Sequence, residues 1–174
     1  MTQKISVDAI KMLREKTNAS INDVKQALES ANGNESKALA WLRERGAAIS
    51  EQRQGRATGQ GRVEAYVHHN GMVGAVIEVN CETDFVARTP EFVQFCRDLA
   101  MHVVWAAPKH VKVEAALAET GIRPEECLLQ QPFVKDQGVT VNDLLKSLIA
   151  TTGENVVIRR FARFAVGEST PSAS

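Results

Sequence analysis

The chain has 174 residues, enough for one full-sized domain or for a small domain joined to a medium one. Hydrophobic residues make up 44% and charged residues 24%, as in an ordinary globular chain, and the formal net charge is zero. No global field therefore drives it onto nucleic acid or an anionic membrane. Met1 to Ser6 carries no apolar run after Lys4, which argues against a signal peptide, and no stretch of about 18 apolar residues predicts a membrane span. A cytoplasmic location is expected. Cys81, Cys96 and Cys127 are odd in number and lack C-x-x-C or zinc-ligand spacing, so three reduced, mostly buried thiols are expected.

Residues 1–46 read as three short helices. Val7, Ile10 and Leu13, then Val24, Ala27, Leu28 and Ala31, recur at helical spacing. Ser20 with Asp23 three residues on marks a helix start near Ile21. Asn32-Gly33 is its stop, because glycine takes the left-handed conformation without steric penalty. Ala38, Leu39, Trp41 and Leu42 supply a third helix, which Gly46 is expected to end. Such a unit buries only a small core. Residues 47–61 read as a linker, polar and glycine-rich, which could begin as a helical extension. Arg53, Arg56 and Arg62 make it locally basic, but without aromatic residues for base stacking a solvated connector is expected.

Residues 62–168 read as a mixed core. Arg62–His69 and Met72–Val79 flank Asn70-Gly71, the strongest two-residue hairpin signal. That turn sets Tyr66 opposite Ala75 and Glu64 opposite Ile77, and leaves both sheet faces partly apolar. One face should meet helices, and the other a partner or a second copy of the chain. Thr89-Pro90-Glu91 opens a helix with a cap, a proline at the first position and an acid at the positive end of the dipole. Phe92, Phe95, Cys96, Leu99, Val103 and Ala106 form its apolar stripe, and Pro108 ends it. Between Lys109 and Gln131 the pattern is weak: a short helix over 113–120 and another start at Arg123-Pro124 are expected. Gln131–Lys135 is predicted to be extended beside the sheet, Thr140 opens a helix, and residues 155–166 form a closing strand. Residues 169–174 read as a disordered tail.

No constellation for bond-making chemistry is visible. The chain has no P-loop or dinucleotide glycine fingerprint and no G-x-S-x-G elbow. His68, His69, His102 and His110 lack metal-site spacing, and no metal or cofactor is expected. Arg159, Arg160 and Arg163 on the last strand are expected to be solvated or to pair with acids of neighbouring strands.

One stretch remains, Glu78-Val-Asn-Cys-Glu-Thr-Asp-Phe-Val-Ala-Arg88, set between the hairpin and the following helix. Thr83, Asp84, Phe85 and Val86 fall on the connection, where function is often carried. An acid beside a large aromatic could put a charge and an apolar wedge into a partner. Alternatively, Phe85 folds back under the helix and Asp84 caps a turn. This stretch, with Leu13-Arg14-Glu15-Lys16-Thr17-Asn18-Ala19-Ser20-Ile21-Asn22-Asp23-Val24-Lys25-Gln26-Ala27-Leu28 near the N-terminus, resembles the elongation factor Ts family, and the resemblance covers nearly the whole chain.

The resemblance implies an α+β fold. It has an N-terminal three-helix module of ubiquitin-associated type, a linker, and a core of a three-stranded antiparallel sheet packed with helices. It implies a guanine nucleotide exchange factor, not an enzyme, whose partner is elongation factor Tu. Thr83, Asp84, Phe85 and Val86 would enter the partner's G domain near its bound Mg²⁺, with Asp84 disturbing the ion's surroundings and Phe85 wedging into an apolar crevice. Arg14, Ile21 and Asn22 would be contacts of the N-terminal module. Many members carry glycine where Asn18 stands and methionines where Ile21 and Asn22 stand; Asn22 removes apolar contact, so Ile21 is the better anchor. Longer members hold two related core halves, whereas this chain has one, so a homodimer is expected. Two other readings stay open: an adaptor built on the three-helix module with a dimerisation domain, and a small thiol or hydrolytic enzyme using Cys81 or a histidine.

Overall fold

The computed structural model describes residues 5–17, 19–112 and 121–168. The chain is mixed helix and sheet and folds as two compact units. The first takes the chain up to Ala57 together with Asp143–Val156, and the second takes Thr58–Asn142 with the chain from Val157 on. Residues 62–168 thus do not cluster as one body, because the segment Asp143–Val156 packs with the N-terminal helices.

Helices α1 (Val7–Thr17), α2 (Ile21–Ser30) and α3 (Glu35–Arg53) build the first unit. The Ser20 hydroxyl caps α2 by accepting from the Asp23 N–H at 3.1 Å, and itself donates to the Asp23 carboxylate at 2.8 Å. At the other end the Gly33 N–H reaches back to the Leu28 carbonyl at 2.8 Å, with Asn32 and Gly33 both at positive φ. This closure satisfies carbonyls that the helix leaves unpaired. Leu13, Val24, Ala27, Leu28, Ala31 and Ala38 form the core, with Ile10, Trp41 and Leu42 packed around it.

Gly46 does not end the third helix. α3 continues for 19 residues, so residues 47–53 are helical. The buried glycine packs on helix α6 (Val141–Thr152): a Cβ there would lie 3.6 Å from the carbonyl oxygen of Lys146, an ordinary van der Waals distance. Tertiary packing outweighs the roughly 0.5–1 kcal/mol that an interior glycine costs a helix. From α6, Ser147 donates its hydroxyl to the Thr17 carbonyl at 2.6 Å and so ties down the end of α1.

The second unit is an antiparallel three-stranded sheet in the order β1 (Gln60–Val67), β2 (Val73–Cys81), β5 (Val156–Ala165). The register is the expected one, with Tyr66 opposite Ala75 and Glu64 opposite Ile77. Asn70 secures the turn by accepting from the Met72 N–H at 3.0 Å. Ala75, Ile77, Val79 and Cys81 alternate to one buried face of β2. Helix α5 (Pro90–Ala106) packs across β1 and β2 and buries Phe92, Cys96, Leu99, Ala100 and Val103. Burial pushes the Cys96 thiol up to about 12, which makes it an inert core residue. Ala107 adopts a left-handed conformation after α5, and Pro108 follows.

The expected helix over 113–120 lies outside the described residues, and so does the tail 169–174. Pro124–Glu126 forms a single 3-10 turn rather than a longer helix. Gln131–Lys135 does not join the main sheet. Its strand β3 (Pro132–Phe133) pairs with β4 (Asp136–Thr140), a partner strand that the sequence reading missed. This separate ribbon is held by a buried polar network. The Val134 N–H donates to His102 Nδ1 at 3.2 Å, so the ring proton sits on Nε2 and is donated to Gln131 Oε1 at 2.9 Å. Gln131 Nε2 in turn donates to the Glu125 carbonyl at 2.7 Å. The interior thus holds a neutral histidine with both nitrogens satisfied.

A second proton on His102 would face the Val134 N–H, and burial already holds its pKa below the ordinary 6.5. Below that pH the unfolded chain takes up the proton first, so the unfolded state binds more protons and stability falls as pH falls. Glu126 adds a loss in the same direction further down. The Lys109 ammonium holds its carboxyl at about 2, so its contribution fades as pH drops below 4.5. Thermal melting is expected at a lower temperature at pH 5 than at pH 7. His102→Asn, which cannot titrate, is expected to flatten that interval; an unchanged slope in the variant would show that His102 is not its source.

Candidate functional site

The connection between β2 and α5 is a single helical turn. Strand β2 ends at Cys81, whose thiol donates to the Thr83 carbonyl at 3.1 Å. Thr83 is extended and caps helix α4 (Asp84–Ala87), its hydroxyl accepting from the Val86 N–H at 3.3 Å. At the far end Thr89 donates its hydroxyl to the Val86 carbonyl at 2.9 Å and accepts from the Phe92 N–H at 3.3 Å. That second threonine closes one helix and caps the next. Pro90 at the start of α5 supplies a fixed φ already suited to a helix.

Helical geometry then decides which side chains face out. Successive residues of a helical turn point about 100° apart, so a turn packed on one side buries only part of its circumference. Val86 and Ala87 are 8% and 7% exposed, and α4 packs against β1, β2 and α5. Phe85 is thereby turned away from the core and is 83% exposed. It does not fold back under α5. Asp84 stands beside it on the surface, in a salt bridge with Arg88 at 3.1 Å. The tip therefore presents an acid, a large aromatic and a guanidinium.

The predicted site residues divide accordingly. Thr83, Asp84 and Phe85 are exposed on the turn, whereas Val86 lies beneath it as an anchor. Arg14 on α1 and Ile21 and Asn22 in the first turn of α2 are exposed on the other unit, Ile21 at 55%. The turn between them includes Asn18, which lies outside the described residues. Arg88 was not singled out from the sequence, although its four-residue spacing from Asp84 is a signal for a paired charge on a helical turn. The three cysteines are buried and form no disulfide, and among the described residues no cluster of three or more His, Cys, Asp or Glu could hold a metal.

A second surface lies on the sheet face away from α5. Val63 and Val67 of β1, Val76 of β2 and Phe164 of β5 are exposed there, with Met72 and Val166 at its hairpin end. Glu78 pairs with Arg160 at 2.6 Å, and the guanidinium lowers the Glu78 carboxyl pKa. Of the three basic residues on this strand, Arg163 also finds an acid, Glu168, at 2.6 Å.

The elongation factor Ts family model matches residues 3–120. The chain belongs to the elongation factor Ts family. Among similar proteins, elongation factor Ts of Rubrobacter xylanophilus is 46% identical, the match covering 91% of this chain and 97% of that protein. Elongation factor Ts of Solidesulfovibrio magneticus is 40% identical over 94% of this chain and 98% of its own, and that of Methylacidiphilum infernorum 39% over 97% and 98%. Membership in this family makes the chain a translation elongation factor. No described helix is long and apolar enough to cross a membrane.

The exposure of the tip separates its two aromatic neighbours energetically. Phe85→Ala is expected to change unfolding free energy by no more than about 0.5 kcal/mol, as at other surface positions. Phe92→Ala, at a site with 0% exposure, is expected to cost about 3–5 kcal/mol. Urea titration of both variants checks this. A large loss in Phe85→Ala would mean that the ring packs in the fold.

Proposed function

We propose that this family member is the guanine nucleotide exchange factor of elongation factor Tu and that α4 is its working part. The observation that supports this reading best is the exposed Phe85 on a turn anchored by the buried Val86 and Ala87 and capped at both ends. An insertion device needs side chains held ready before contact, so that binding does not have to order them. Asp84 reaches the groups around the partner's bound Mg²⁺, and Phe85 enters an apolar crevice of its G domain. Thr83 fixes the entry of the turn, and Val86 holds the turn to the core. The chain supplies contacts, binds no nucleotide or cofactor of its own, and needs no bond-making group.

The magnitudes require more than one contact. Burying a phenylalanine side chain is worth roughly 1.5–3 kcal/mol, or about one to two orders of magnitude in an equilibrium constant. Asp84 and a broader docking surface, with Arg14, Ile21 and Asn22 of the first unit, add the rest. Coupling is reciprocal, so whatever loosens the nucleotide is itself loosened when nucleotide rebinds. The factor holds the empty partner tightest.

The exposed apolar sheet face supports a homodimer. Val63, Val67, Val76 and Phe164 form an apolar surface of the kind that monomers rarely leave uncovered, and a two-fold axis would pair it with itself. Sheet-to-sheet pairing fills the place of the second core half of longer members. The factor works in the cytoplasm, without direct contact to nucleic acid or membrane.

Release of a fluorescent GDP analogue from elongation factor Tu tests the exchange reading. Acceleration by the native chain is expected, with Phe85→Ala lowering it about tenfold or more and Asp84→Ala lowering it as well. No acceleration of a folded, matched partner would overturn the reading. For the dimer, sedimentation equilibrium is expected to give twice the 19.0 kDa chain mass and Val76→Lys to halve it. A native mass near one chain would exclude the dimer.

A further inference from the structure

The salt bridge between Asp84 and Arg88 joins two strongly exposed groups, with side chains 64% and 80% accessible. Such a pair shifts an equilibrium only about twofold, so it contributes little to holding the turn. The turn is held instead by the buried Val86 and Ala87 and by the two threonine hydroxyls. Arg88 is therefore poorly explained as a structural residue. Its position has another consequence. Any cation that Asp84 engages brings that cation's other ligands within reach of the guanidinium.

A Mg²⁺ ion on a nucleotide is ringed by oxygen ligands at about 2.0–2.1 Å, several of them anionic. When Asp84 turns toward such an ion it leaves Arg88 without its carboxylate. When the ion is loosened, the oxygens it neutralised lose their counter-charge. A planar guanidinium four residues away is suited to those oxygens, since arginine pairs with carboxylate or phosphate in a fork. We propose that Arg88 is a further partner-contact residue of the tip, paired with Asp84 in the free protein and transferred on docking to an anionic oxygen that the displaced Mg²⁺ had neutralised. The inference rests on the exchange reading above. It makes the tip a charge exchanger, in which an acid approaches the cation and a guanidinium takes over the anion.

Two roles for Arg88 differ in size and sign. If it only restrained Asp84, removing it would free the acid and change exchange by about twofold at most, upward. If it receives an anionic oxygen in a docked, water-poor site, removing it loses a charge-assisted hydrogen bond, and about a tenfold loss is expected. The test compares Arg88→Met and Arg88→Lys with the native chain in GDP-analogue release from elongation factor Tu, together with affinity for the nucleotide-free partner. Arg88→Met is expected to slow release about tenfold with unchanged thermal stability, and Arg88→Lys to recover part of it. A loss confined to the nucleotide-bound complex assigns the oxygen to the phosphates; an equal loss in the nucleotide-free complex assigns it to a partner carboxylate. Arg88→Met at native rate or faster, with Asp84→Ala and Phe85→Ala still impaired, would overturn this inference alone. Native rates in all three variants would overturn the role of the tip as well, while no acceleration by the native chain would overturn the exchange reading itself.

Discussion

The structure depends most on the burial of Val86 and Ala87 beneath a single helical turn. Isolated turns do not persist in water, because nucleation fixes several residues for one hydrogen bond. Here the chain supplies what nucleation lacks. Thr83 caps the start, Thr89 closes the end, and the Cys81 thiol holds the Thr83 carbonyl. The two small buried side chains then fix which way the turn faces, and the exposure of Phe85 follows from geometry. An aromatic held out in water contributes little to the fold, which leaves its surface available for contact.

The scaffold around the turn is built for stiffness. β2 buries alternate residues against α5, which buries Phe92, Cys96, Leu99, Ala100, His102, Val103 and Val104. Both elements that lead into and out of the turn are therefore core elements, not loops. Burial in the same region also pushes the Cys96 thiol up to about 12, which keeps it out of its reactive thiolate form. Satisfied polar groups play a similar part further along. His102 and Gln131 join α5 to the small β3–β4 ribbon through hydrogen bonds that leave no imidazole nitrogen unpaired.

Much of this was legible in the sequence because local rules governed it. Asn70-Gly71 set the hairpin register, Ser20 and Thr89 marked helix starts, and Pro90 placed the first turn of α5. What was not legible came from tertiary contact. Gly46 reads as a stop, yet α3 runs through it, with the glycine buried against α6. Strand β4 begins Asp136-Gln-Gly, poor strand residues, and exists because β3 pairs with it. At the tip, sequence named the residues but not their directions: it could not separate the buried Val86 from the exposed Phe85. The family resemblance implies a destination for the tip, which stays a proposal, and the packing shows its orientation.

In the proposed mechanism, Phe85 projects from a fixed turn into the G domain of elongation factor Tu, next to its Mg²⁺ site. Photo-crosslinking tests it most directly, with benzoylphenylalanine in place of Phe85 and the complex with nucleotide-free elongation factor Tu irradiated and digested. The account expects crosslinked peptides from the apolar crevice of the G domain beside the nucleotide site. A complex that forms fully but crosslinks elsewhere, or not at all, would contradict it.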